Sequence, residues 1–356
     1  MDEQVRWRPV TGPSPVAPVL VIGANGYLGS HVTRQLVAAG KDVRVMVRDG
    51  AVTSGNTVGI DDLAVTRFIG DIWDDEVLRA AMTGCDVVYY CVVDTRGWLR
   101  DPTPLFRTNV EGTRNVLDVA VEPAIAAGLK KFVFTSSYVT VGRRRGHVAT
   151  EDDAIVDRGL TPYVRSRVQA ENLVLDYART RGLPAVTMCV STTYGAGDWG
   201  RTPHGAIIAG AAFGKLPFVM GGIELEAVGV DDAARAMVLA ADKGRVGERY
   251  LISEKMISNA DVVRIAAEAA GVAAPTKTIP LALSYAMAAL GSVKARLKGT
   301  DERLSLGSLR LMRAEAPVDC SKAKRELGWQ PRPVEDAIRE AATWWVGLRD
   351  AKRASR

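Results

Sequence analysis

Histidine and cysteine are scarce in this chain, and each scarcity removes a class of chemistry. Three histidines (His31, His147, His204) lie far apart in 356 residues, so no metal-ligand spacing forms and each reads as a surface or loop residue. The four cysteines (Cys85, Cys91, Cys189, Cys320) include no CxxC pair and no zinc spacing. Three of them sit in apolar, strand-like segments, the pattern of reduced, buried thiols in a cytoplasmic protein. Long hydrophobic runs are absent too, since none reaches the ~18 apolar residues that span a bilayer. The nearest, Ile279–Val293, is broken by Pro280, Ser284, Gly291 and Ser292. Followed by Lys294, Arg296 and Lys298, it reads as a lid or core helix, with peripheral membrane contact as the alternative. Neither sign of charge dominates, with 46 basic and 41 acidic residues giving a formal +5. The basic runs Arg143–Arg145 and Lys352–Arg356 read as solvated faces rather than a nucleic-acid surface. Residues 1–17 hold charges and three prolines but no apolar core, which excludes a secretory signal and suits a flexible N-terminal extension.

What is present is organised around Val19-Leu-Val-Ile-Gly23-Ala-Asn-Gly26-Tyr-Leu-Gly29. Four uncharged apolar residues read as a buried parallel strand, and helical spacing (Val32, Leu36, Val37) follows the glycines. In G-x-x-G-x-x-G the first glycine permits the tight turn and the second lets backbone approach a pyrophosphate. The third allows close helix–strand packing, and the helix N-terminus offers free N–H groups to phosphate. Strands are expected at Asp42–Arg48, Val65–Ile72, Cys85–Val93, Lys131–Ser137 and Ala185–Val190. Helices are expected at Asp75–Met82, about Leu105 to Gly128, and Pro162 to about Arg181. This alternation predicts an α/β fold, a doubly wound parallel sheet with a smaller C-terminal substrate lobe. The core would cover residues 18–200. Residues 201–349 would mix a substrate lobe, including a lid within Ala273–Pro317, with returning strands at Leu225–Val230 and Arg249–Ser253. Residues 350–356 would form a basic tail.

Arg48 stands where the second strand ends, beside the adenosine ribose in such a fold. A guanidinium there pairs with a 2′-phosphate where a carboxylate would repel it, so NADP is expected in preference to NAD, although Asp49 follows directly. Tyr163 and Arg167 are four apart and share a helix face, so the cation is expected to favour phenolate and ready Tyr163 for acid/base work. Ser137 at a strand end could hold a carbonyl oxygen as charge develops. Taken singly these residues also read as a strand-ending serine, an amphipathic surface tyrosine and a solvated helix charge.

Together the motifs resemble the extended short-chain dehydrogenase/reductases of the NAD-dependent epimerase/dehydratase superfamily. They are Gly23–Gly29, Gly70-Asp71, Asn109-Val-Glu-Gly-Thr, Phe134-Thr-Ser-Ser137, Tyr163-x-x-Ser166-Arg167-x-x-x-Glu171, Val228-Gly-Val-Asp-Asp232-Ala and Ser321-Lys-Ala-x-x-Glu-Leu-Gly-Trp-x-Pro331. Val47-Arg48-Asp49 and Phe134–Ser137 look most like the dihydroflavonol reductase and 3β-hydroxysteroid dehydrogenase branch. The resemblance implies that Gly23, Gly26, Tyr27, Leu28 and Gly29 cradle the pyrophosphate, Arg48 takes the 2′-phosphate, and Asp71 with Ile72 holds adenine. It implies that Cys91 and Val92 line the cofactor cleft and that Asn109 supports the helix and its water chain. Ser137 and Tyr163 would carry the proton chemistry beside Arg167, with Ser191 and Thr192 on the nicotinamide side. A homodimer would use the Leu105–Gly128 and Pro162–Arg181 helices. The sequence departs from the family at Arg167, where lysine is usual, and at Val190-Ser-Thr-Thr-Tyr194-Gly, where Arg-Pro usually precedes the loop. Arginine keeps the cation but is planar and does not pass protons as an ammonium does.

The expected function is an NADP-dependent interconversion of a ketone and a secondary alcohol on a small, largely apolar steroid-, flavonoid- or polyketide-like substrate. Ile279–Leu290, Trp98, Trp199 and Phe213 are the expected apolar lining, with plain packing as the equal alternative. The alternatives are a sugar-nucleotide epimerase or dehydratase, and a non-catalytic NADP-binding protein that has lost the lysine.

Overall fold

The computed structural model describes residues 17–156, 159–298, 300, 301, 306, 309 and 316–354. Almost all of the expected N-terminal extension, the last two residues of the basic tail, and the side chains of Lys294, Arg296 and Lys298 lie outside the described residues.

Seven parallel strands form the central sheet: β1 (Val19–Ile22), β2 (Val43–Val47), β3 (Thr66–Ile69), β4 (Val87–Tyr90), β5 (Lys131–Ser137), β6 (Ala185–Val190) and β10 (Arg249–Ile252). Their order is β10-β6-β5-β4-β1-β2-β3, so the chain reverses direction across the sheet between β1 and β4. In such sheets ligands bind at the carboxyl ends of the strands, at that switch point. Alternation explains the uncharged strands. Val19, Val21, Tyr89 and Val133 face one core, while Leu20, Ile22, Tyr90, Phe132 and Phe134 face the other.

Helices α1 (Tyr27–Ala38) and α9 (Val230–Lys243) cover the first face. On the second lie α3 (Asp75–Met82), α5 (Gly112–Ala120) and α7 (Pro162–Arg181). A five-residue α2 (Asp49–Thr53), unforeseen in the sequence, follows β2. The expected Leu105–Gly128 helix is broken into α4 (Thr103–Phe106), a π turn (Arg107–Glu111), α5, and α6 (Pro123–Ala126), which Pro123 begins at its first position. Helix starts and stops are set by local side chains. Asp74 accepts from the Val77 N–H at the start of α3, and Thr161 accepts from the Val164 N–H at the start of α7. Gly182 ends α7 at φ +69°.

Beyond β6 lie β7 (Thr192–Tyr194), α8 (Pro203–Ala212), β8 (Val219–Met220), β9 (Glu224–Gly229), β11 (Lys255–Ser258), α10 (Asn259–Ala269), β12 (Thr278–Ile279), α11 (Leu281–Lys298), α12 (Ser321–Leu327) and α13 (Val334–Ala354). Strands β7, β9 and β11 form one small sheet, and β8 pairs with β12. A third core packs among α8, α10 and α13, and a fourth sits beneath α11. Trp329 is fully buried and donates its indole N–H to the Asp232 carbonyl at 2.8 Å, fixing the C-terminal segment on α9.

Candidate active site

The glycine turn is built for close approach. Gly23 has φ +83°, and a Cβ there would stand 2.9 Å from Val92 and 3.1 Å from the Cys91 backbone. A Cβ on Gly29 would fall 2.3 Å from the Gly23 carbonyl oxygen, so any side chain there forces helix and turn apart. Helix α1 then begins at Gly26 with no side-chain cap and no acidic residue in its first turn. Its leading N–H groups and the positive end of its dipole are left for an anion. Leu28 packs on the core. The Tyr27 phenol is turned away: it donates to the Gly195 carbonyl at 2.8 Å, so Tyr27 could serve the pyrophosphate only through its backbone.

Arg48 is exposed at the end of β2 and makes no ion pair among the described residues. Asp71 is half-buried just after β3. Ile72 is buried against Gly112, its carbonyl accepting from Asn115 at 2.9 Å. Cys91, its thiol pushed by burial to about 12, and Val92 form the wall opposite Gly23.

At the centre, the Tyr163 phenol stands close enough to the Ser137 side chain to feel it electrostatically, with Arg167 one helical turn below. Burial raises the Tyr163 pKa, Arg167 and Ser137 oppose the rise, and Asp94 adds to it; the net direction is upward. The expectation that Arg167 would bring the phenol down is therefore corrected: desolvation outweighs the cation. Arg167 is fully buried and is no solvated helix charge. Its Nη2 donates to the Thr135 carbonyl at 2.5 Å, and its guanidinium lies 5.4 Å from the Phe134 ring centroid. Its Nε and Nη1 have no partner among the described residues, nor has the buried Ser191 hydroxyl. Unpaired buried donors are costly and call for a ligand or water. Thr192 is half-buried in β7, where it influences the Tyr138 phenol.

Asn109 occupies the π turn and is fully buried. Its amide accepts from the Asp94 N–H at 2.8 Å, donates to the Asp94 carbonyl at 3.0 Å and donates to Ser166 Oγ at 3.1 Å. One side chain thus ties the loop after β4 to the helix carrying Tyr163 and Arg167. A second brace escaped the sequence reading. Buried Glu171 accepts from Ser136, from Thr140 at 2.9 Å and from Arg249 at 2.8 Å. Arg249 also donates to the Glu151 carbonyl, so α7, β5 and β10 are joined behind Ser137. Glu171 is visible as the last residue of the Tyr163 motif, but its partner is 78 residues away and carried no local signal.

Of the expected lining, Trp199 packs edge-to-face on Trp344 at 4.9 Å and Phe213 lies under Arg349, both against α13, as the packing alternative has them. His204 is not a loop residue but part of α8, edge-on to Tyr194. His31 clasps Asp231 at 2.6 Å from within α1. All four cysteines are free thiols, and Cys85, Cys189 and Cys320 are buried. Among the described residues there is no cluster of metal-binding side chains and no helix long and apolar enough to cross a membrane.

A parallel sheet with an uncapped glycine turn at its switch point, and a Ser–Tyr–Arg cluster at the next strand end, defines a dinucleotide-dependent oxidoreductase. Residues 19–253 match the NAD dependent epimerase/dehydratase family, and the chain belongs to that family. It is 30% identical to sterol demethylase protein B of Methylococcus capsulatus, over 92% of this chain and 97% of that one. It is 29% identical to a putative dihydroflavonol 4-reductase of Synechocystis sp., over 91% of this chain and 93% of the relative. The crystal structure of gox2253 superposes with a TM-score of 0.80 at 32% identity, covering 94% of this chain and 99% of that one. The chain is an NAD(P)-dependent enzyme of the dehydrogenase/reductase type.

Proposed function

We propose that this enzyme interconverts a ketone and a secondary alcohol on a small, largely apolar molecule, using NADP. The observation that carries the reading is the juxtaposition of Tyr163 and Ser137 beside the fully buried Arg167. The cofactor fits the residues at hand: the bare N-terminus of α1 suits a pyrophosphate, and the unpartnered Arg167 and Ser191 donors suit ribose and carboxamide oxygens. When bound, its nicotinamide supplies or accepts the hydride. Tyr163 gives its proton to the carbonyl oxygen, and the raised pKa keeps the phenol protonated for that task at neutral pH. Ser137 donates to the same oxygen as its charge develops. Arg167 stabilises the phenolate left behind, a duty that needs charge rather than proton relay. A serine or tyrosine hydroxyl can be reprotonated from water through the neighbouring hydroxyls, so an arginine in place of lysine is compatible with turnover.

Arg48 supports NADP over NAD because no carboxylate among the described residues occupies its guanidinium. The two relatives with reductase or sterol-related names support an apolar substrate over a sugar nucleotide. The test is steady-state oxidation of NADPH with a panel of cyclic ketones, steroids and sugar nucleotides, repeated with NADH and with Arg48→Asp. The expected result is ketone-dependent turnover favouring NADPH, with the preference moved at least tenfold toward NADH by the substitution. Turnover confined to sugar nucleotides, or NADPH preference unmoved in Arg48→Asp, would contradict the reading.

A further inference from the structure

We propose that the groove between α8 and α13 is a second ligand site, one that takes a small amphiphilic anion: an organic carboxylate on an apolar tail. The groove encloses about 430 Å³, within the range of small-molecule pockets. Phe213, Trp345 and Leu348 supply an apolar floor, while Arg201, Arg349, Lys352 and Arg353 stand around it, and no carboxylate is among the lining residues.

Three observations set this apart from an ordinary solvated helix face. First, two of these four cations are left without a counter-charge. Arg349 pairs with Asp350 at 2.9 Å, whereas Arg201 and Arg353 make no ion pair among the described residues. Lys215 adds a further cation 5.9 Å from the Phe213 ring, and Arg349 lies 5.1 Å from the same ring. Second, Trp345 is 7% exposed, and its indole N–H has no acceptor among the described residues. An unpartnered buried donor on a lining residue calls for an incoming acceptor or a water.

Third, Arg201 is held in place. It is the one non-glycine described residue at positive φ, at 51°. Buried Asp198 fixes the turn, accepting from the Thr202 N–H at 2.9 Å and hydroxyl at 2.8 Å. Planar guanidinium groups match a carboxylate in two parallel hydrogen bonds, and the aromatic floor accepts the tail.

The groove lies outside the Tyr163 cluster and shares no residue with it, so the proposal stands apart from the assigned chemistry. The experiment titrates the full-length enzyme with decanoate below its micellar concentration, following intrinsic tryptophan fluorescence and calorimetry. Decanol, decyltrimethylammonium and inorganic phosphate serve as contrasts. Expected is saturable decanoate binding that is at least tenfold weaker with each contrast compound. It should also be at least tenfold weaker in Arg349→Glu and in Ala206→Trp, which fills the mouth from exposed Ala206. NADPH binding unchanged in both variants shows that the fold persists, and Arg349→Gln offers a milder substitute should Arg349→Glu fail to fold. Equal binding of decanol would reduce the groove to an apolar depression, and equal binding of phosphate to a surface cation patch. Binding to phosphatidylglycerol vesicles without binding of monomeric decanoate would make it a membrane contact. Each of these three results, or no binding at all, overturns the proposal.

Discussion

Tyr163 and His204 illustrate how burial sets the protonation of single side chains here. The Tyr163 phenol is raised by desolvation in spite of the cation beneath it, so ketone reduction, which needs the protonated phenol, should not fall on the alkaline side until above pH 10. A pH profile of kcat/KM in the reductive direction that falls below pH 9 would contradict this. His204 is pushed the other way: burial lowers it to about 4, and its Nδ1 has no partner among the described residues. A histidine bound more weakly to its proton when folded than at its ordinary 6.5 stabilises the fold fully above pH 6.5. That contribution is lost as pH falls from 6.5 toward 4, because the unfolded chain takes up the proton first. The loss should be about 1–3 kcal/mol, given the partial exposure of the ring. Urea unfolding of His204→Phe should show a shallower decline between pH 6.5 and 4 than the wild type. An identical slope would remove His204 from the account.

At the scale of elements, the glycine turn is where sequence and structure agree most closely. Substituting Gly29→Ala places a methyl 2.3 Å from the Gly23 oxygen, which backbone alone must relieve. NADPH affinity should fall at least tenfold while far-ultraviolet circular dichroism stays native, and unchanged affinity would mean that phosphate is held elsewhere. Strands β5 and β6 and helices α3 and α7 follow the expected bounds because burial on both sheet faces, Asp74, Thr161, Pro162 and Gly182 all write themselves locally. The small strands β7, β8, β11 and β12 were not legible. Each is two to four residues long and exists only through a partner distant in sequence, as Thr192–Tyr194 does against Ala227–Gly229. The π turn was hidden for a similar reason: its signature is Asn109 reaching both Asp94 and Ser166, not any pattern in Arg107–Glu111. The side-chain partners of Tyr27 and Trp199, Gly195 and Trp344, were not legible because no spacing announces such contacts.

Across the whole molecule, the C-terminal segment returns to the sheet core, so its integrity and that of the site are coupled. Trp329 buried on α9 is the pin, and Trp329→Ala should destabilise the enzyme by about 3–5 kcal/mol in urea unfolding. A loss under 1 kcal/mol would mean that the segment is held by the Arg332–Asp232 ion pair instead. The Glu171–Arg249 and Asn109 braces serve the same end, since they draw β10, β5, α7 and the loop after β4 onto one point. That point is the Ser137–Tyr163–Arg167 cluster, and the central claim is that it performs proton transfer in carbonyl reduction. The most direct test compares single-turnover NADPH oxidation by the wild type and by Tyr163→Phe, with an apolar ketone that the wild type reduces and with NADPH binding measured alongside. NADPH binding should be retained and the rate lowered by about 10²–10⁴. A Tyr163→Phe enzyme that turns over at the wild-type rate would contradict the central claim.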